Sequence, residues 1–328
     1  MFGSPYNSDP NDCVRIIHTA LDAGINFVNS ADWYREGQSE EATGKALLGR
    51  RDEVVISTKV NIHGDGRPNS GGAKRHRLIE AVDASLKRLQ TDRIDFYILA
   101  HVDVHTDVEE SLSVLTDLVR QGKIVSFGCS KFPPEQIVEA HWMAERRHLM
   151  KFRIEEAQYS MFDRHIEAGV APVCERYGMG LIAFSPLAGS WLTGRYRQPT
   201  DIDLSQGRAV QNPRRFDPGL PATLHKLELV RRLDEIAQDA GIPLVHMAIA
   251  FVAAHPSVSS AIIGPRTMEQ LKDLLAGVEV ALDDETLDRI DAVVPPGEII
   301  EGPAHLYGAP ALDNPSLRRR ILGDRPAG

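Results

Sequence analysis

The feature that most constrains the fold is a repeated alternation between short apolar, β-branched runs and longer segments of helical periodicity. Such runs fall at residues 25–29, 54–59, 94–99, 125–129, 155–159, 181–184 and 261–263. Apolar residues on consecutive positions suit parallel strands covered on both faces. Between and after them the sequence predicts helices near 40–48, 74–89, 108–121, 134–146, 166–177, 227–239 and 244–254. The first helix is legible from its ends. Asp9 and Pro10 form a cap and first turn, Val14, Ile17 and Leu21 share a face, and Gly24 stops it. No linker or shift of composition interrupts the order, and no G-x-G-x-x-G follows a strand. A single (β/α)8 TIM barrel over residues 1–328 is therefore expected, rather than an open dinucleotide-binding sheet. Seven strands are found where a closed barrel needs eight, so the first strand is expected upstream of Met1.

The chain carries 46 acidic against 37 basic residues, a net charge of −9, which argues against a nucleic-acid surface as its purpose. Cys13, Cys129 and Cys174 have no paired spacing, so neither a disulfide framework nor a thiolate metal site is expected, and a reducing cytoplasm fits. The longest near-apolar stretch, 244–254, is too short to span a bilayer, and the chain does not open on a basic region followed by an apolar run. No membrane association is expected. Two segments break the alternation: residues 190–223, too long for an ordinary loop, and the Pro- and Gly-rich stretch 295–328 with a basic cluster at 318–320.

Chemistry in such barrels sits at the C-terminal ends of the strands. The polar residues expected there are Asn29, Asp32, Tyr34, Lys59, His101, Ser130, Gln158 and Ser185. A tyrosine and a lysine converging on one barrel mouth have a specific use, because a nearby ammonium favours phenolate and makes the phenol a workable acid. That suits carbonyl reduction, with Tyr34 donating a proton to a developing alkoxide. Separately, Thr267 with Gln270 reads as a capping box, and the helix start beside Arg266 is a natural anion site. A metal-ligand reading of His101, Asp103 and His105 is a weaker alternative, since no cluster of ligands from other strand ends joins them.

The stretches GINFVNSADWY at 24–34, SEE at 39–41, GKAL at 44–47, VVISTK at 54–59, SLKRL at 85–89 and IDFY at 94–97 are followed by GCS at 128–130, QYS at 158–160, FSPLAG at 184–189 and IGPRT at 263–267. In this order, over most of the chain, they resemble the aldo-keto reductases. The resemblance implies NADPH (NADP+) as cofactor and a small-molecule carbonyl substrate. It also implies that Ser130 and Gln158 hold the nicotinamide carboxamide and that Phe184 stacks on the ring. Ser185 and Leu187 would approach the pyrophosphate. Gly264, Arg266 and Gln270 would complete the cofactor set, with Arg266 at the 2′-phosphate.

The sequence departs from the family tetrad of Asp, Tyr, Lys and His. Tyr34 and Lys59 are in place, but Asn29 stands where Asp is expected and Ala100 where His is expected. Asn29 can accept a hydrogen bond from Lys59 but brings no charge. His101 can substitute only if the strand end turns it inward. Lys131 and Leu274 each replace a family Asn. The expected function is NADPH-dependent reduction of an aldehyde or ketone. The alternative is a cofactor-binding protein of the same fold with weak or no turnover. If the tetrad alone is at fault, Asn29→Asp with Ala100→His should raise activity.

Overall fold

Seven strands pair side by side, all parallel, in the order in which the chain makes them. They are β1 (Phe27–Asn29), β2 (Val55–Val60), β3 (Ile94–Leu99), β4 (Ile124–Ser130), β5 (Ile154–Gln158), β6 (Gly180–Phe184) and β7 (Val258–Ala261). The helices are α1 (Pro10–Asp22), α2 (Gln38–Ala46), α3 (Arg75–Leu89), α4 (Val108–Arg120), α5 (Pro134–Arg147), α6 (Val170–Tyr177), α7 (Pro213–Phe216), α8 (Pro221–Asp239), α9 (Leu244–Ala254), α10 (Met268–Ala276) and α11 (Asp284–Val293). The computed structural model describes residues 7, 9–64 and 69–300. The sheet curls as seven strands of a (β/α)8 barrel, and a strand N-terminal to α1 is not among the described residues.

Two layers of packing build the barrel. Ile98, Ile154 and Ile182 meet inside it with Phe27, Phe96 and Ile262, a plug of branched and aromatic side chains drawn from four strands and the residue after β7. Interior filling of this kind makes the barrel a packed core, with the open space above it. Outside, alternate strand residues such as Ile56, Tyr97, Leu99, Phe127 and Leu181 are covered by the helices. Gly128 is needed where β4 meets β5, because a Cβ there would lie 2.4 Å from the Ile154 carbonyl oxygen.

Three expectations are corrected. The last strand is Val258–Ala261 rather than 261–263. Its Val-Ser-Ser-Ala sequence has no apolar run, and its pairing carries an irregularity opposite Leu181 and Ile182. The helix expected over 166–177 is a 3-10 turn, His165–Ala168, followed by α6. Pro172 has no N–H to offer the Ala168 carbonyl, so a continuous helix would lose a bond at that point. α11, capped by the Asp283 side chain accepting from the Thr286 amide at 2.9 Å, was not anticipated.

The segment 190–223 is built around aromatic packing. Trp191, fully buried, stacks on Phe216 with centroids 4.9 Å apart, and Tyr196 closes against both rings. Further on, the Ile300 amide donates to the Phe162 carbonyl at 2.9 Å, tying the end of the described chain to the loop after β5. The basic cluster at 318–320 lies outside the described residues. Among those residues no single helix is long and apolar enough to cross a membrane; α8 and α9 pass only as a pair bent by 89°.

Candidate active site

The C-terminal ends of the strands open into a cavity of about 1080 Å³. Its floor is made by Asn29 from β1, Lys59 from β2, Ser130 from β4, Glu156 from β5 and Phe184 from β6, with Tyr34 from the loop after β1. Of the strand-end and cofactor residues singled out by sequence, all line it except Asp32, which is engaged in the loop, and Gln158, which is buried. On the same strand and the same face, two residues earlier, Glu156 does. Sequence reasoning missed Glu156. The signal was there: two acids, Glu155 and Glu156, sit in a strand between apolar neighbours, and strand alternation sends them to opposite faces.

The loop carrying Tyr34 is fixed from several sides. The Ser30 and Asp32 amides donate to the Ser57 and Lys59 carbonyls, extending the β1–β2 pairing past the strand end. The Asp32 carboxylate accepts from the Asn61 amide at 2.9 Å and pairs with Arg77 at 3.1 Å, so it clamps this loop and is not spent on Lys59. Trp33 packs edge-on against the Tyr34 ring.

Lys59 presents its N–H donors to the cavity floor. Nζ donates to Asn29 Oδ1 at 2.7 Å and pairs with Glu156 at 3.0 Å to Oε1, and it lies 5.3 Å from the centroid of the Tyr34 ring. Asn29 in turn donates from Nδ2 to Glu156 Oε2 at 2.8 Å and to Ser57 Oγ at 3.3 Å. Burial pulls the Lys59 ammonium down, but the Glu156 carboxylate and the Tyr34 oxygen outweigh it and hold it above the ordinary lysine range.

β3 ends at Leu99, so strict alternation no longer governs the residues after it, and both Ala100 and His101 line the cavity. His101 Nε2 lies 3.4 Å from Lys131 Nζ, and its buried Nδ1 has no hydrogen-bond partner among the described residues. Burial, with the Lys131 ammonium and His63 adding to it, pulls the imidazole down to about 4. His101 is therefore neutral near pH 7. Lys131 sits 5.6 Å from the Phe184 ring centroid, and burial lowers its ammonium from the ordinary range, Glu156 opposing and Lys59 reinforcing the effect. Asp103 accepts from the Ala73 and His105 amides, which accounts for its carboxylate in a loop-holding part. Among the described residues no group of three or more His, Cys, Asp or Glu is placed to hold a metal ion.

The cavity wall also carries cationic residues. Arg195, Arg208 and Arg266 line it, together with Gly189, Ser190 and Thr193. Lys131, Ser185 and Ser190 all hold left-handed backbone at φ 58, 59 and 91°. Non-glycine residues in that region cost energy and concentrate at functional sites. Arg266 has its backbone held on both sides, its amide donating to Gln270 Oε1 at 2.8 Å and its carbonyl accepting from Asn7 at 3.1 Å. Thr267 caps α10, its hydroxyl accepting from the Gln270 amide. The reciprocal Gln270 bond thus closes on Arg266, one residue before the cap, and fixes its backbone at the start of α10.

A model of the aldo/keto reductase family matches residues 1–295. Among curated proteins, a probable voltage-gated potassium channel subunit beta from rice is 35% identical over 297 residues, 87% of this chain and 88% of that one. An uncharacterized oxidoreductase, YrpG, from Bacillus subtilis is 33% identical over 88% of this chain and 89% of its own length. The L-glyceraldehyde 3-phosphate reductase of Escherichia coli K12 is 30% identical over 87% of this chain and 84% of its own.

Proposed function

The chain belongs to the aldo/keto reductase family, and from that premise we propose that it reduces an aldehyde or ketone to the alcohol with NADPH. The observation that carries this reading is the Tyr34–Lys59 contact on the floor of a cavity with room for a dinucleotide beside a small substrate. The residues lining the cavity supply groups that such a cofactor would use. Phe184 offers an aromatic face and Ser130 a hydroxyl, and Ser185, Leu187, Gly264, Arg266 and Gln270 line the same cavity. An arginine beside a helix N-terminus suits a phosphate, which favours NADPH over NADH. When bound, the nicotinamide supplies a hydride.

The residues of the chain supply the rest. Tyr34 donates the proton to the substrate oxygen as negative charge gathers there. Lys59 lies beside the Tyr34 ring, so that the phenolate left behind meets a positive charge. His101, neutral and with Nε2 engaged by Lys131, serves in this reading as cavity wall rather than as a second acid. The buried floor excludes water, which strengthens each of these contacts.

A second reading, tight cofactor binding with little turnover, is favoured by Ala100, which offers no hydrogen bond where the family has His. The relative whose name is a potassium channel subunit beta keeps this reading in view. Incubation with NADPH and a panel of aromatic and small aliphatic carbonyls, phosphorylated aldehydes included, separates the two. Loss of nicotinamide absorbance with at least one carbonyl supports the first; saturable cofactor fluorescence with no absorbance loss across the panel supports the second.

A further inference from the structure

Asn29 looks like a defect only while the search for a carboxylate stays on β1. The carboxylate beside Lys59 is Glu156, which reaches it from β5 on the far side of the barrel interior, at 3.0 Å and with both side chains about 3% exposed. Asn29 bridges the two: its Oδ1 accepts from Lys59 at 2.7 Å and its Nδ2 donates to Glu156 Oε2 at 2.8 Å. An Asp at position 29 would replace that N–H with an oxygen facing a carboxylate oxygen at hydrogen-bond distance. One of the two acids would then have to be protonated or turned away. A neutral residue at 29 is therefore what a glutamate at 156 requires.

We propose that Glu156 is the positioning residue that keeps Lys59 charged and aimed at Tyr34, in the part that the family gives to an Asp at position 29, with Asn29 as the neutral bridge between them. The inference rests on Tyr34 as proton donor for its catalytic consequence, but not for its electrostatic one. The other charged groups facing Lys59 leave no competitor for the part. The Tyr34 ring lies beside it, Lys131 repels it, and His101 is neutral beyond Lys131. Asp32, on the same loop as Tyr34, is committed to Arg77 and the Asn61 amide.

The test uses the full chain as wild type, Glu156→Gln, Asn29→Asp and the pair together, which returns the carboxylate to β1. Two readouts are taken: kcat/KM against pH, with NADPH and a carbonyl that the wild type reduces, and unfolding stability against pH. Glu156→Gln is expected to lose about 100-fold in kcat/KM and to move the basic limb of the profile to lower pH by about one unit or more. Losing a nearby negative charge makes the first proton loss of the Tyr34–Lys59 pair easier, whichever member gives it up. The double variant is expected to recover to within about tenfold of wild type, which follows from the charge and not from the shape of residue 156.

Stability separates this inference from the reductase reading. In the wild type the raised Lys59 contributes stability present below the unfolded lysine value and lost as pH rises through the folded one. In Glu156→Gln the largest group opposing burial is gone, the folded state binds fewer protons than the wild-type fold does, and stability rises with pH on the alkaline side relative to wild type. The variant-minus-wild-type slope is thus positive, and the double variant returns it to about zero. A Glu156→Gln protein with the wild-type slope, or a double variant no better than Glu156→Gln, overturns the proposal even if the chain turns over no carbonyl at all. If Glu156→Gln does not fold, the double variant decides: folding supports the relocated charge, and failure to fold overturns it.

Discussion

Lys59 Nζ and Glu156 Oε1 lie 3.0 Å apart, although β2 and β5 are separated by β3 and β4 in the sheet. Only the curl of the barrel brings them together, and it does so where each side chain is almost wholly removed from water. Removing one partner of such a pair is costly, about 3–5 kcal/mol in typical cases, because the other charge is left buried. The pair therefore anchors the cavity floor as well as setting the charge next to Tyr34.

Restoring the family aspartate alone is expected to harm the site. Asn29→Asp places a second carboxylate against Glu156, so kcat/KM should fall rather than rise, and adding Ala100→His should not reverse the loss. Steady-state kinetics of the single variant and of the Asn29→Asp, Ala100→His pair against wild type check this. A gain in kcat/KM for either would mean that the lost Asp, rather than its relocation, describes the site.

Arg266 is expected to discriminate between cofactors. A charge-assisted bond to a phosphate contributes about 1.5–3 kcal/mol. Arg266→Ala should accordingly raise KM for NADPH by about 10- to 100-fold and leave KM for NADH within about threefold. Equal weakening for both would place the guanidinium on a shared part of the cofactor.

How far the sequence reaches can be seen in particular elements. β2, β3 and β4 are legible because Val, Ile and Phe run through them, and α1 because Asp9 accepts from the Asn11 amide where a cap was read. β7 was misplaced because Val-Ser-Ser-Ala has the composition of a loop and earns its pairing only from β6. The site was legible where chemistry follows strand ends, at Asn29, Tyr34, Lys59 and Ser130. Glu156 was not, because a buried charge is declared by its partner across the barrel and not by its neighbours in sequence. Gln158 drew attention as a polar strand end, yet it is Glu156 that lines the cavity.

Glu155, back to back with Glu156, is expected to cost the protein stability as pH rises. It is fully buried, and burial pushes its carboxyl up to about 8 despite the bond from the Phe132 amide. The unfolded chain ionises near about 4.3. Between these values the folded state holds the extra proton, so stability falls as pH climbs through that window and levels off above about 8. Glu155→Gln removes this dependence. Urea unfolding should show the variant gaining on wild type from pH 5 to pH 8; a constant difference would mean that Glu155 is ionised when folded.

Trp191 is expected to hold the cationic wall. Its stacking on Phe216 organises the segment that carries Arg195 and Arg208, and Trp191→Ala should cost about 3–5 kcal/mol in a denaturant titration. Cofactor affinity should fall with it. Unchanged affinity would detach the wall from the aromatic cluster.

The most direct test of the central claim is Tyr34→Phe, which removes one oxygen and leaves the ring in place. Cofactor binding, followed by fluorescence, should stay close to wild type. NADPH consumption with a carbonyl that the wild type reduces should fall by about 100-fold or more. A Tyr34→Phe protein that still reduces that carbonyl at near wild-type rate would contradict the account.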